Sequence, residues 1–370
     1  MSVVKSNPVK AVPFTKQLGF RKTVNERVEA FLNQNNLSAR DVPSMYGKTI
    51  IVFLWYVGAY LLIMLGGFEW YINIALYVVY AMSVAGLGFN VMHDAIHGSY
   101  SRHPRINQIL SFTMELIGSS NAQWRQKHNV WHHTYTNIAG LDEDLETNGL
   151  LRLSPHDAWK PRFRAQHLYL WPVYALTGFG FLTRDFRVYF TGKSDKYHVY
   201  PKMTRNEKLV FWAGKGVYFL INLVLPLFIL PAWQALLGFV IVMLTVGVIL
   251  ASIFQLAHVM EPADFPEPTG DPLKIQNEWA IHQVNTTVNF AQHNRLLNWY
   301  AGGLNFQIEH HLFPQICHVL YPKIAPIVEM TCREFGVTYF SYPTWRQALM
   351  DHWKTVYKLG QKPPQMAMSA

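Results

Sequence analysis

Cysteine is almost absent from the chain of 370 residues, with Cys317 and Cys332 as its two examples. They form neither a CxxC pair nor a repeated framework. A disulfide scaffold and a thiolate metal site are thereby excluded, and two buried, reduced thiols are expected. Charged residues are also scarce, at 15%. The formal charge is still +9, but the basic residues are scattered among aromatic and apolar segments and build no RNA- or DNA-binding motif, so nucleic acid is excluded as a partner. No internal repeat, low-complexity stretch or secretory signal pattern occurs. The first 47 residues begin polar and basic, so the first hydrophobic span is expected to direct insertion.

What the chain has in quantity is apolar length. Half of its residues are hydrophobic. Four stretches, Thr49 to Leu65, Tyr71 to Met92, Leu209 to Leu230 and Ala232 to Ala257, are long enough to cross a bilayer, which takes roughly 17 to 25 residues as helix. Gly66, Gly67, Phe68 and Glu69 join the first pair, and Pro231 with its neighbours joins the second. Connections this short predict two hairpins that return to the side they entered. Eight Lys and Arg precede residue 49, fifteen lie between Met92 and Lys208 inclusive, eight follow residue 258, and Lys215 alone sits within a span. The positive-inside rule then predicts both termini and the central segment in the cytoplasm, with Lys215 snorkelling to the interface.

The predicted fold class is therefore an all-α integral membrane protein of four transmembrane helices in two hairpins, carrying a helical cytoplasmic cap. Its divisions are a cytoplasmic segment 1–48, a membrane domain 49–358 and a disordered tail 359–370. Ile106 to Ile117 is apolar but too short to span. His167 to Phe190 mixes aromatic residues with Arg184 and Arg187, as an interfacial amphipathic helix would.

Sixteen histidines are present, and their placement carries the chemistry. His93 and His97 stand in His-Asp-Ala-Ile-His just beyond the second span, and positions i and i+4 share a helix face. His128, His132 and His133 repeat that spacing with an adjacent third ring. His310 and His311 follow in Gln307-Ile-Glu-His-His-Leu-Phe-Pro. Seven imidazoles gathered near a lipid boundary would be costly if protonated, and metal is the usual partner of many neutral imidazoles. They exceed the four positions of structural zinc, and the Glu-x-x-His pairs of soluble carboxylate di-iron bundles are missing. Two ions held mainly by imidazole match the count. Iron, copper, zinc and nickel all accept such ligands, so the element stays open on these grounds.

These three motifs resemble the three histidine boxes of membrane fatty acid desaturases, and the resemblance extends from the first span to about Phe335. It implies a pair of irons that activates dioxygen, with a fatty acyl substrate linked to coenzyme A, lipid or carrier protein. Gln307, within Gly-Leu-Asn-Phe-Gln-Ile-Glu-His-His, resembles the front-end branch, and the resemblance implies that it belongs with the box histidines in the metal site. The 370 residues contain no His-Pro-Gly-Gly cytochrome motif, so the likeness to bacterial linoleoyl-CoA or acyl-lipid desaturases implies a separate ferredoxin or cytochrome b5-type donor and a bacterial inner membrane. It also implies a further ligand near the end of the fourth span, where His258 sits.

Asp94 and Glu309 are expected to hold the bound imidazoles. Asp142-Glu143-Asp144 could reach them too, contact a cationic carrier, or be a solvated loop. His282 and His293 are expected to be structural. His103, His156, His167, His198, His318 and His352 are expected to be ordinary surface or interface residues. A hydroxylase or acetylenase on the same scaffold, or a membrane metal transporter, are the alternatives.

Overall fold

The computed structural model describes residues 12–363. Its order is overwhelmingly helical; among the described residues the named strands are the two-residue Asn289–Phe290 and Ser341–Tyr342, paired in parallel. Four helices are long and apolar enough to cross a membrane: Pro43–Leu65, Trp70–His97, Arg205–Ile229 and Ala232–His258. All four expected spans are there, and each differs from its sequence bounds at one or both ends.

Local chemistry explains the boundaries. Pro43 opens the first long helix, where its missing N–H would have no helical partner anyway. The second runs five residues beyond Met92 and so carries the first histidine pair within it, ending at Gly98 in the left-handed conformation (φ 71°). Thr204 and Glu207 form a reciprocal capping box at the start of the third. Pro231 precedes the fourth.

The first and second long helices pack on each other, and the fourth packs on the second. Their shared core includes Val52, Tyr80, Val84 and Leu250. Small residues let backbones approach: a Cβ on Gly247 would lie 2.3 Å from the Ala175 carbonyl oxygen. Outward faces stay apolar, with Leu54, Leu65, Leu209 and Phe228 exposed. So much exposed hydrocarbon on one set of helices suits a lipid surrounding.

Lys215 departs from expectation. It does not snorkel; it is buried, donating to Asp185 Oδ2 at 2.7 Å and to the Gly118 carbonyl at 2.8 Å. A buried carboxylate satisfies the ammonium better than distant headgroups can, and the pair ties the third long helix to helix Thr177–Thr191.

The polar parts of the chain build a second core. Helix Phe20–Gln34 packs on Tyr321–Glu334, so the N-terminal segment is bound to the far end of the chain. Residues 104–116 form two short helices, Pro104–Ser111 and Thr113–Leu116. The expected interfacial helix is divided into Gln166–Ala175 and Thr177–Thr191. Helix Trp345–Gly360 includes the first two residues of the expected tail, of which 364–370 lie outside the described residues.

Candidate metal centre

The first histidine pair sits where the second long helix changes its winding. Residues Gly88–Met92 form a wider turn in which the His93 N–H reaches back to the Gly88 carbonyl. Such i→i+5 turns inside helices are frequent at functional sites. The second motif is wound the same way over Arg125–His132, and the His133 N–H donates to the His128 carbonyl. That winding brings residue i+5 over residue i, so His133 joins His128 on one face and their Nε2 atoms lie 3.3 Å apart.

The third motif is carried by the short helix Gln307–Leu312. Two contacts dock it beside the first. Asn90 Nδ2 donates to the Tyr300 carbonyl at 2.9 Å. Gly302, at φ 60°, lies so close that a Cβ would be 2.2 Å from the Phe89 carbonyl oxygen, which only glycine tolerates. Asn289 Oδ1 then accepts the Ile308 N–H at 2.9 Å, fixing the helix start.

All eight expected histidines converge. Candidate ligand atoms of His93, His97, His128 and His310 lie within 4.8 Å of one another, and so do those of His132, His258 and His311. His133 stands between the groups, its ring centroid 4.6 Å from His310 and 4.3 Å from His311. His93 and His128 approach Nε2 to Nε2 at 3.1 Å.

The free atoms point to what these rings hold. Nε2 of His97, His258, His310 and His311 is buried without a hydrogen-bond partner, an arrangement native proteins avoid unless something occupies the site. Meanwhile the opposite nitrogens are anchored. His132 Nδ1 lies 3.1 Å from both Asp142 carboxylate oxygens. His311 Nδ1 donates to Gln283 Oε1 at 2.8 Å, and His258 Nδ1 faces the Thr286 carbonyl at 3.4 Å. A metal-binding imidazole needs this: one nitrogen fixed from behind, the other free in front. The donor set therefore fits a bound metal.

Electrostatics keep most of the rings ready to bind. Burial, then repulsion from neighbouring imidazoles, holds His128, His133, His310 and His311 well below the usual histidine range, so each is neutral. His132 differs. Burial alone would lower it, but the Asp142 and Asp144 carboxylates outweigh that and raise it. Asp142 is bonded to His132 Nδ1, and Asp144, ion-paired to Lys127, also stands 3.4 Å from that nitrogen.

Some expected residues lie elsewhere. Asp94 turns from the histidines of the motifs to His318, 3.0 Å from its Nδ1 and accepting its backbone N–H at 3.2 Å. His318 in turn meets Lys48 Nζ at 2.8 Å through Nε2. Glu309 is held by Asn289 and Tyr339 at 2.9 and 2.8 Å, and burial pushes it up to about 7. Neither carboxylate contacts a clustered imidazole in these hydrogen bonds. Their helices aim them outward because the histidines beside them aim inward. Gln307 is buried and its Nε2 lacks a partner.

The remaining histidines divide by burial. His103, His156 and His293 are exposed and His167 is half-buried, but His198, His318 and His352 are buried, against the surface reading. Each has a partner that permits burial: Asp195 for His198, Asp94 for His318, and Tyr174 with the Val259 carbonyl for His352. His282 is buried outside the clusters, its Nε2 unpartnered. Sequence reasoning missed Gln283; an amide amid the apolar residues of helix Trp279–Asn285 was its one signal.

His93 also lines an apolar cavity that runs between the second, third and fourth long helices to Asn222 and Val242. A metal cluster at the head of a narrow hydrocarbon slot can act on a chain lying in it.

Comparison with known proteins agrees. The sequence model of the fatty acid desaturase family matches residues 68–343. An sn-1 linoleoyl-lipid 6-desaturase from Arthrospira platensis is 39% identical over 96% of this chain and 97% of its own length. One of the same name from Synechocystis sp. is 38% identical over 95% and 98%. An acyl-lipid (8-3)-desaturase from Physcomitrium patens is 35% identical over 92% of this chain and 72% of its own. The chain belongs to the fatty acid desaturase family.

Proposed function

We propose that this desaturase introduces a cis double bond into a lipid-linked fatty acyl chain, counting from the carboxyl end in front-end, Δ6-like fashion, at a pair of histidine-held irons. The observation that carries the reading is the set of buried, unpartnered Nε2 atoms of His97, His258, His310 and His311, clustered with His93, which lines the apolar cavity. The position and the lipid linkage are supported by the printed names of the relatives from Arthrospira platensis and Synechocystis.

His93, His97, His128 and His310 would hold one iron, and His132, His258 and His311 the other, with His133 between them and Gln307 completing the donor set. When bound, the pair would supply the oxidising power that no side chain has, removing hydrogen from an unactivated methylene. Asp142, Gln283 and the Thr286 carbonyl keep the rings turned inward. The cavity walls exclude water and hold the chain past His93. In balance, two hydrogens leave adjacent carbons and, with two external electrons and two protons, reduce one dioxygen to two waters. The electrons would come from a separate ferredoxin or cytochrome b5-type protein.

The four long helices would cross a bacterial inner membrane as two hairpins, leaving both termini and the metal-bearing cap in the cytoplasm. The distribution of basic residues supports this orientation.

The test is expression in a host that lacks polyunsaturated fatty acids, fed linoleate or oleate, with mass spectrometry locating any new double bond. A new bond at carbon 6 of linoleate is expected, and His132→Ala should abolish it while leaving membrane insertion intact. Hydroxylated or alkynyl products alone, or metal flux without reductant-dependent oxygen uptake, would refute the reading.

A further inference from the structure

The apolar cavity abuts a wider vestibule, and Trp124, Phe181, Leu250 and Phe254 form the neck where the two meet. Three cations line that vestibule: Lys127, Arg184 and Arg187. Lys127 is ion-paired with Asp144. Arg187 donates through Nη1 to the Ser194 carbonyl at 3.0 Å and to Asn148 Oδ1 at 3.3 Å.

Arg184 is different. Its Nη2 donates to Asp185 Oδ1 at 3.0 Å, but Nε and Nη1 are buried with no hydrogen-bond partner. The nearest carboxylate of Glu143 is 3.9 Å from Nη1, beyond hydrogen-bond reach. The side chain is only 11% exposed. Donors withdrawn from water and left unpaired are destabilising, and an incoming acceptor would remove that cost.

Its position suits one acceptor in particular. The guanidinium carbon stands 5.4 Å from the centre of the Phe181 ring, and Lys127 Nζ stands 5.1 Å from the same ring. Phe181 is a wall of both the vestibule and the apolar cavity. A hydrocarbon tail threaded through the neck would leave its polar end beside Arg184. Other cations are less suited: all three have partners, but only Arg184 also keeps buried donors with none, while Arg187 is exposed.

We propose that Arg184 binds the acyl carbonyl oxygen of the substrate through its free guanidinium N–H groups, and so sets which carbons lie at the metal centre. This rests on the desaturase reading above and adds the anchor from which a front-end enzyme counts. A carbonyl fixed at the neck leaves a constant number of carbons between itself and His93, whatever the tail length.

The test uses membranes of a host in which the wild-type protein is active, with their own electron donor. They are given vesicles of glycerolipid carrying the linoleoyl chain as an ester, or as the alkyl ether that lacks the carbonyl. Wild type should use the ester about tenfold better or more, the range for a hydrogen bond to a charged group. Arg184→Lys keeps a positive charge facing Glu143 and Asp185 but loses the planar donor fork. It should use ester and ether within about threefold of each other by the same reasoning, and should yield double bonds at more than one position.

Equal use of ester and ether by wild type would overturn the proposal while leaving desaturation standing. So would an Arg184→Lys protein with normal metal content, unchanged ester preference and a single bond position. Should that variant lose its metal, the wild-type comparison decides alone. No product from either lipid in wild type would overturn the desaturase reading itself.

Discussion

Asp142 grips His132 from behind, with both carboxylate oxygens 3.1 Å from Nδ1. The same carboxylate accepts the backbone N–H groups of Asn137 and Asp144, each at 2.9 Å, so the loop after the second motif is folded around one ring. Its acid run, which could have been a solvated loop, instead sets Asp142 and Asp144 behind His132, while Glu143 accepts from Tyr200.

Asp142→Asn keeps one carboxyl-like oxygen but loses the charge behind His132. Metal content of the purified protein should fall, with affinity reduced about 10- to 100-fold, the usual effect of losing such a partner. Iron titration with a competing chelator measures this. Unchanged affinity would mean that Asp142 only shapes the loop.

His258 and His282 are both buried, but only His258 joins the clusters. His258→Ala should therefore reduce bound metal and abolish desaturation, whereas His282→Gln should retain near-normal metal content. Elemental analysis of both proteins distinguishes the two roles. Equal losses would contradict the assignment of His258.

Glu115 is pushed up to about 7 by burial, partly opposed by hydrogen bonds that include the Asn121 N–H. Its ordinary value is 4.5. Between those values the folded protein binds the extra proton, so the stability linked to Glu115 is fully present below about 4.5 and declines as pH rises through 7. The total is on the order of 3 kcal/mol. Glu115→Gln should flatten that part of the stability curve, which thermal unfolding in detergent at pH 5 and pH 8 would reveal. A parallel decline in the variant would assign the effect to another group.

Gly178 stands where helix Thr177–Thr191 meets the fourth long helix, and a Cβ there would lie 2.5 Å from the Met243 carbonyl oxygen. Gly178→Ala should force the helices apart and destabilise the protein by ~1–3 kcal/mol, the common range for overpacking. The melting midpoint should fall accordingly. Because Gly178 also lines the apolar cavity, the relative use of fed acyl chains should change as well.

The amino-acid order alone determined the parts that depend on local repetition. Apolar runs long enough to cross a bilayer identified the four long helices, because helix length and hydrocarbon thickness are matched quantities. Residues at i and i+4 share a helix face, so His93 and His97 could be paired on spacing alone. Even His258 followed from its place at the end of a span, once the resemblance was admitted.

Only the tertiary structure decided which polar groups meet across the chain. Asp94 and Glu309 lie beside candidate ligand histidines in sequence, yet successive helical residues point in different directions, and both turn to other partners. Gln283, far from the third motif along the chain, supports His311 instead. Lys215 and Arg184 looked like interfacial cations because composition records charge but not the carboxylates of Asp185 and Glu143 that folding brings to them. Spacing governs what shares a face; packing governs what lies opposite it, and the support of the metal centre and the neck of the cavity belong to the second kind.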